Sequence, residues 1–229
     1  MRWEISRQLV NADFTRHVVV VTDQLPWLPS PQKGVERRLL DRLGGEIARA
    51  TSLVRYAPDS SFPAHAHALG EELFVLSGVF SDERGDYGEG TYIRNPPRSR
   101  HAPRTAQGCI VLVKSRQMKS TEAKRVVLDT TKAVWKLADP AGLLRLPLHL
   151  APDTGESVTL EQILPGAQLI ETDRPGGEEI FVLSGELSDR HGSYVAGTWI
   201  RNPAGSRSGL GSSNGATYWA KRGHLRPMS

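Results

Sequence analysis

Thirty residues of this chain are written twice. "EELFVLSGVFSDERGDYGEGTYIRNPPRSR" (71–100) overlays "EEIFVLSGELSDRHGSYVAGTWIRNPAGSR" (178–207) at a constant offset of 107 with no gap, and 19 of the 30 paired positions are identical. The echo continues at both ends. Upstream, "VVVVTDQLPW" ending at Trp27 matches "RVVLDTTKAVW" ending at Trp135; downstream, "GCIVLVKSRQ" matches "GATYWAKRGH". Each repeat is roughly 100 residues long, the size of a domain rather than of a solenoid unit. Two homologous domains within 229 residues are therefore expected, each large enough to bury a core.

The duplication also decides local readings that one copy leaves ambiguous. "GVERRLLDRLGG" could close a short helix at its glycines, but its counterpart "AGLLRLPLHLA" carries Pro147 inside the run. A helix interior does not accept proline cheaply, so both segments are read as strands. "EIARATSLVRYAP" and "ESVTLEQILPGA" alternate with period two up to a proline-containing turn. "DERGDY" and "DRHGSY" place a glycine between strand-like flanks and read as hairpins. With 22 Gly and 15 Pro scattered along the chain, the expectation is all-β: two tandem antiparallel barrels of the jelly-roll kind, about eight short strands in each. The expected boundaries are an N-terminal extension over 1–16, a first domain over 17–120 and a second over 121–229.

Chemistry concentrates in "HAHALGEE" of the first copy. Residues two apart on a strand share a face, so His65 and His67 point the same way. Glu71 follows in the same parity, with Gly70 giving the backbone freedom between them, while Glu72 is expected to point away. His101 comes after the "RNPPRSR" turn, where a neighbouring antiparallel strand could bring it beside the others. Three imidazoles and one carboxylate suit one divalent transition metal: Zn or Fe(II) first, with Mn, Ni or Cu(II) also accepted. Phe74, Tyr92 and Arg94 are candidates for the wall of a pocket.

The two stretches together resemble the cupin motifs. "HAHALGE" followed by "LFVLSG" has the H-x-H, three residues, Glu, six residues, Gly spacing of the first, ending at Gly78. "GTYIRNPPRSRH" has Gly90, five residues, Pro96 and then His101 at the second motif's histidine, with Arg98 where that motif has glycine. The wording is most similar to the ChrR-type cupin domain, and the resemblance covers both repeats. It implies a tandem cupin (bicupin) with a metal held by His65, His67, Glu71 and His101. In the second copy the corresponding positions are Thr172, Arg174, Glu178 and Ser208, and only the glutamate survives. Arg cannot deprotonate to serve as a ligand and hydroxyls are poor ones, so this copy is not expected to bind metal in the same way. Arg174 shares a face with Glu178, and two arrangements are open: its guanidinium takes the metal's place beside the carboxylate, or it points outward.

The resemblance implies two functions of different class. One is regulation or sensing, as in anti-sigma factors where such a cupin follows a zinc-binding helical domain. No His-x-x-x-Cys-x-x-Cys pattern is present here, because Cys109 is the single cysteine, so a sigma factor is not expected as partner by that route. The other is a mononuclear non-haem metal dioxygenase that takes O2 and a small diketone or aromatic ketone at the metal. Cys109 itself, inside "GCIVLVK", reads as a buried inert thiol. The net charge of +4 comes without the aromatic interleaving of a nucleic-acid site; the densest basic stretch, Arg94, Arg98, Arg100 and Arg104, reads as ion-paired or solvated surface. No apolar run reaches the ~20 residues of a membrane span and the N-terminus lacks a signal-peptide core, so a cytoplasmic protein is expected. A homodimer formed by pairing of sheets is a further expectation.

Overall fold

The computed structural model describes residues 9–45 and 47–225. Within them the chain forms two compact units, and each contains one ten-stranded antiparallel sheet and one two-stranded ladder. Both are jelly-roll barrels. The first unit orders its main strands as 126–129, 91–95, 71–82, 109–115, 48–56, 35–44 and 28–29; the second repeats the scheme as 18–21, 198–202, 178–189, 216–222, 156–163, 143–151 and 136–138. Among the described residues no helix is long and apolar enough to cross a membrane.

The spatial units do not follow the sequence repeats at their starts. Val18–Val21 opens the first repeat but pairs with Thr198–Asn202 of the second unit. Val126–Asp129 opens the second repeat and pairs with Thr91–Asn95 of the first. Residues 13–25 accordingly belong to the second unit, and the first unit runs on to Lys132. Both crossing strands are short apolar, largely β-branched runs, VVVV and VVLD, suited to extending a sheet at its edge.

Glu71–Asp82 is the backbone of the first unit and is longer than the short strands expected from sequence. Its first half pairs with Cys109–Ser115 and Thr91–Asn95, and its second half turns into the hairpin with Gly85–Gly88. The bend falls at Gly78, whose φ of +74° lies in the left-handed region. A Cβ there would sit 2.1 Å from the Gly108 carbonyl oxygen, so the motif's glycine is a steric requirement. Gly185 reproduces both features in the second unit.

Inward-facing positions form the cores. Val35, Val54, Leu73, Val75, Phe80, Ile93, Val111 and Val113 pack together in the first unit. Ile163, Ile180, Val182, Leu187, Ile200 and Tyr218 do so in the second. Pro147 is accommodated where the register between Leu143–Ala151 and Glu156–Ile163 shifts, so its missing N–H leaves no gap in a regular ladder.

Candidate metal centre

A two-residue ladder builds the site in the first unit. His65–Ala66 pairs antiparallel with Arg100–His101, and the register sets His65 directly opposite His101. His67 follows on the same face, and Glu71 begins the long strand after the turn at Gly70, whose φ is +73°. One ligand atom from each of His65, His67, Glu71 and His101 can be chosen so that all lie within 4.8 Å of one another. Glu71 Oε2 is 3.5 Å from His67 Nε2 and 3.4 Å from His101 Nε2. The three imidazole centroids are 4.7–5.0 Å apart.

These donors are short of partners. His67 Nε2, Glu71 Oε2 and His101 Nε2 are buried and make no hydrogen bond. Buried polar atoms are rarely left so, and three converging lone-pair donors are what a cation would satisfy. The residues present therefore fit a metal ion. The ring of His65 is set for the same role, because its Nδ1–H donates to the Pro63 carbonyl at 2.9 Å and leaves Nε2 as an acceptor. Behind His101, Asp82 Oδ2 comes within 3.7 Å of Nδ1; Asp82 is itself held by Tyr87 Oη at 3.0 Å and by Arg125. Burial, and then the neighbouring His65, lowers the pKa of His67 to about 4, so the imidazole is neutral and its lone pair available at pH 7.

The cluster is open on one side. A cavity of about 260 Å³ is walled by His65, His67 and Glu71 together with Tyr56, Phe62 and Val54, and carries Arg37, Arg42 and Arg116 on its lining. Phe74, Tyr92 and Arg94 do not line it, which corrects the reading from sequence. Phe74 lies opposite Tyr92 in the ladder and shares the parity of Glu72, on the face turned away from Glu71. There Glu72 accepts hydrogen bonds from Arg94 Nη1 at 2.8 Å and from Tyr92 Oη at 3.1 Å, and Arg94 also holds Glu122. Of the basic stretch, Arg94 is thus buried and ion-paired, whereas Arg98, Arg100 and Arg104 are exposed. Cys109 is buried with its thiol pushed up to about 11, an unreactive state.

The second unit keeps the scaffold and changes the chemistry. Thr172 stands opposite Ser208, as His65 stands opposite His101. Arg174 Nε lies 3.0 Å from Glu178 Oε1, off the line of a hydrogen bond, and the same arginine donates through Nη1 to the Thr172 hydroxyl. Of the two arrangements open from sequence, the inward pairing is the one observed. The shorter contact is with a residue that sequence reading missed: Arg222 Nε donates to Glu178 Oε1 at 2.6 Å. Arg222 also forks onto Glu161 at 2.8 and 2.9 Å, and Glu161 accepts from Arg145 Nε at 2.7 Å and Tyr218 Oη at 2.6 Å. Comparing the repeats column by column would have found this network. At the offset of 107, Arg222, Glu161 and Tyr218 replace Ser115, Val54 and Val111.

A pair of jelly-roll barrels, one of them carrying a His₃Glu cluster on an open cavity, defines a tandem cupin with a candidate metal site. The chain belongs to the ChrR Cupin-like domain family, whose model matches residues 15–119 and again 123–226. Solved structures share the fold. A candidate dioxygenase from Nostoc punctiforme superposes with a TM-score of 0.76 at 17% identity, covering 94% of this chain and 85% of its own. Protein Ylba from E. coli gives 0.70 at 16% identity, covering 98% and 97%. Oxalate decarboxylase OxdC from Bacillus subtilis, as a point-substituted variant, gives 0.58 at 12% identity, covering 91% of this chain and 77% of its own. No curated protein matches the sequence.

Proposed function

We propose that this protein is a metal-dependent enzyme of small-molecule chemistry, a mononuclear dioxygenase acting on a small diketone or aromatic ketone. His65, His67, Glu71 and His101 would hold one divalent ion, Fe(II) for the oxygenase reading. The observation that carries it is the cavity of about 260 Å³ walled by three of those four residues. A purely structural site is ordinarily closed, whereas four protein donors, three of them on the wall of a cavity, leave one or two positions of an octahedral ion for a ligand. The ion would supply Lewis acidity and a seat for O2.

The remaining steps fall to the chain's own side chains. Phe62 packs edge-on against His65 at 5.1 Å between centroids and limits its ring rotation. Val54 and Val113 give the cavity apolar walls that keep bulk water from a bound substrate. Tyr56 keeps its proton, because burial and then Glu71 raise its pKa well above the ordinary phenol value, so it can donate to a substrate oxygen. The second barrel, with Arg174 and Arg222 on Glu178, is read as a structural partner without a metal.

Membership of the ChrR Cupin-like family favours a second reading, a sensor whose metal or ligand state tunes a protein partner such as a sigma factor. One experiment separates the two. The protein is purified anaerobically, its metal is identified, and oxygen uptake is followed with Fe(II) and a panel of small diketones. Iron with substrate-dependent uptake supports the enzyme. Zinc without uptake, together with binding of a purified sigma factor, supports the sensor.

A further inference from the structure

The two barrels treat equivalent arginines differently. In the second unit Arg145 lies opposite Glu161 in the ladder and donates to it at 2.7 Å. In the first unit the same register position is Arg37, and the residue opposite is Val54. The carboxylate that one barrel supplies from its own wall is absent from the other, and the space beside Val54 is part of the cavity.

A second cation sharpens the imbalance. Arg42 lines the same cavity and is 6% exposed; its Nη2 donates only to the Gly45 carbonyl, and its Nε has no partner. Among the described residues neither Arg37 nor Arg42 has a carboxylate partner. The charge that acts on Arg42 is instead Arg37, which adds to burial in lowering its pKa. With Glu71 turned to the histidine cluster, two guanidiniums on one cavity wall that pair with no carboxylate among the described residues favour an anionic ligand there. Glu161 shows what fits: a carboxylate taking charge-assisted hydrogen bonds from arginines and a phenol. Tyr56 offers a phenol on the first cavity's own wall.

We infer that the cavity of the first barrel takes a small ligand bearing a carboxylate, which Arg37 and Arg42 hold while its other oxygens face His65, His67 and Glu71. The carboxylate end stands on the repeat comparison and on Arg42; only the opposite end rests on the metal-dependent reading above. For an enzyme, this makes the substrate an oxo acid or a carboxylated diketone rather than a neutral one.

Two probes isolate the carboxylate: 2,4-pentanedione, and 2,4-dioxopentanoate, which has the same diketone with a carboxylate in place of one methyl. Binding is measured calorimetrically to the Zn(II)-loaded chain, where no turnover intervenes, with metal content determined in parallel. The dioxopentanoate is expected to bind at least about tenfold more tightly, as a charge-assisted pair would give. Arg37→Gln, at a half-buried position, should abolish that preference while leaving pentanedione affinity and metal content unchanged. Val54→Glu, which rebuilds the second barrel's internal carboxylate, should also abolish the preference by occupying the arginines, with metal content unchanged. Equal affinities in the unaltered protein, or a preference that survives both substitutions, would overturn the inference. Should the chain take up no metal, the enzyme reading fails by itself, and pyruvate binding to the metal-free protein decides the carboxylate. Tighter binding by the unaltered chain than by Arg37→Gln supports it, and equal binding overturns it.

Discussion

Arg222 donates from Nε to Glu178 Oε1 at 2.6 Å, at the place where the first barrel presents Ser115 and Glu71. The guanidinium does for Glu178 what a cation would do for Glu71, and it forks onto Glu161 as well. Arg222→Met should therefore cost about 3–5 kcal/mol, because it leaves two buried carboxylates undercompensated. Arg174→Ala should cost only about 1–2 kcal/mol, since Glu178 keeps Arg222 and Asn202. Urea denaturation followed by tryptophan fluorescence measures both, with Trp199 and Trp219 buried in this barrel. Equal losses would mean that Arg222 is not the principal partner.

Acid should act on the two barrels in different windows. Burial pushes the carboxyls of Glu161 and Glu178 up, but Arg222 outweighs it and holds both below the ordinary glutamate range. A depressed carboxylate contributes stability that is full above its unfolded pKa and lost as pH falls through its folded one. The second barrel should thus hold its stability down to about pH 4.5 and lose it below. His67, lowered from 6.5 to about 4, behaves differently. It stays neutral in the fold while the unfolded chain takes up a proton, so metal-free first-barrel stability should fall between those two values, by on the order of 3 kcal/mol. Hydrogen exchange across pH 8 to 3 resolves the barrels, and a first barrel unaffected between pH 6.5 and 4 would refute the assignment.

Metal content is expected to depend on each of the four clustered residues. His101→Ala or His67→Ala should bring a loaded preparation below about a tenth of stoichiometric metal, measured by elemental analysis after dialysis, with the barrel still folded. Asp82→Asn, which alters the group behind His101, should weaken metal affinity about 10–100-fold without removing a ligand. Full occupancy in His101→Ala would show that the cluster is not the metal site.

Arg98 has a φ of +69°, the left-handed conformation that the cupin pattern ordinarily fills with glycine. Its N–H donates to the His67 carbonyl at 2.7 Å, so the turn helps fix a member of the cluster. Arg98→Gly removes a steric cost of about 1–2 kcal/mol but gives the unfolded chain more freedom, for a net gain of about 0.5–1 kcal/mol. A raised melting temperature with unchanged metal content is the expected result.

Much of this was legible in residue order. Pro147 within an apolar run, set against its counterpart without one, was enough to turn a helix-like segment into a strand. The spacing from His65 through Gly78 and on to His101 marked four residues that the structure brings together. Phe74, Tyr92 and Arg94 were misplaced because lying within the motif stretches says nothing about which face of the sheet a residue occupies until parity and pairing are applied. Arg222 and Glu161 were not singled out because each lies on a strand far in sequence from Glu178, and only the ladder makes them neighbours.

The sequence by itself determined the duplicated all-β architecture, since alternation, glycine turns and a domain-length repeat are local and periodic signals. It also determined that one copy keeps imidazoles where the other has none. Only the tertiary structure decided that the strand opening each repeat completes the other unit, and that charges in the second barrel close on one another. It alone set Arg37 and Arg42 on the same cavity as the histidines. Those outcomes depend on pairings between distant segments and on which side chains share an enclosed space, where an unpaired charge is costly, and no short stretch of sequence carries that information.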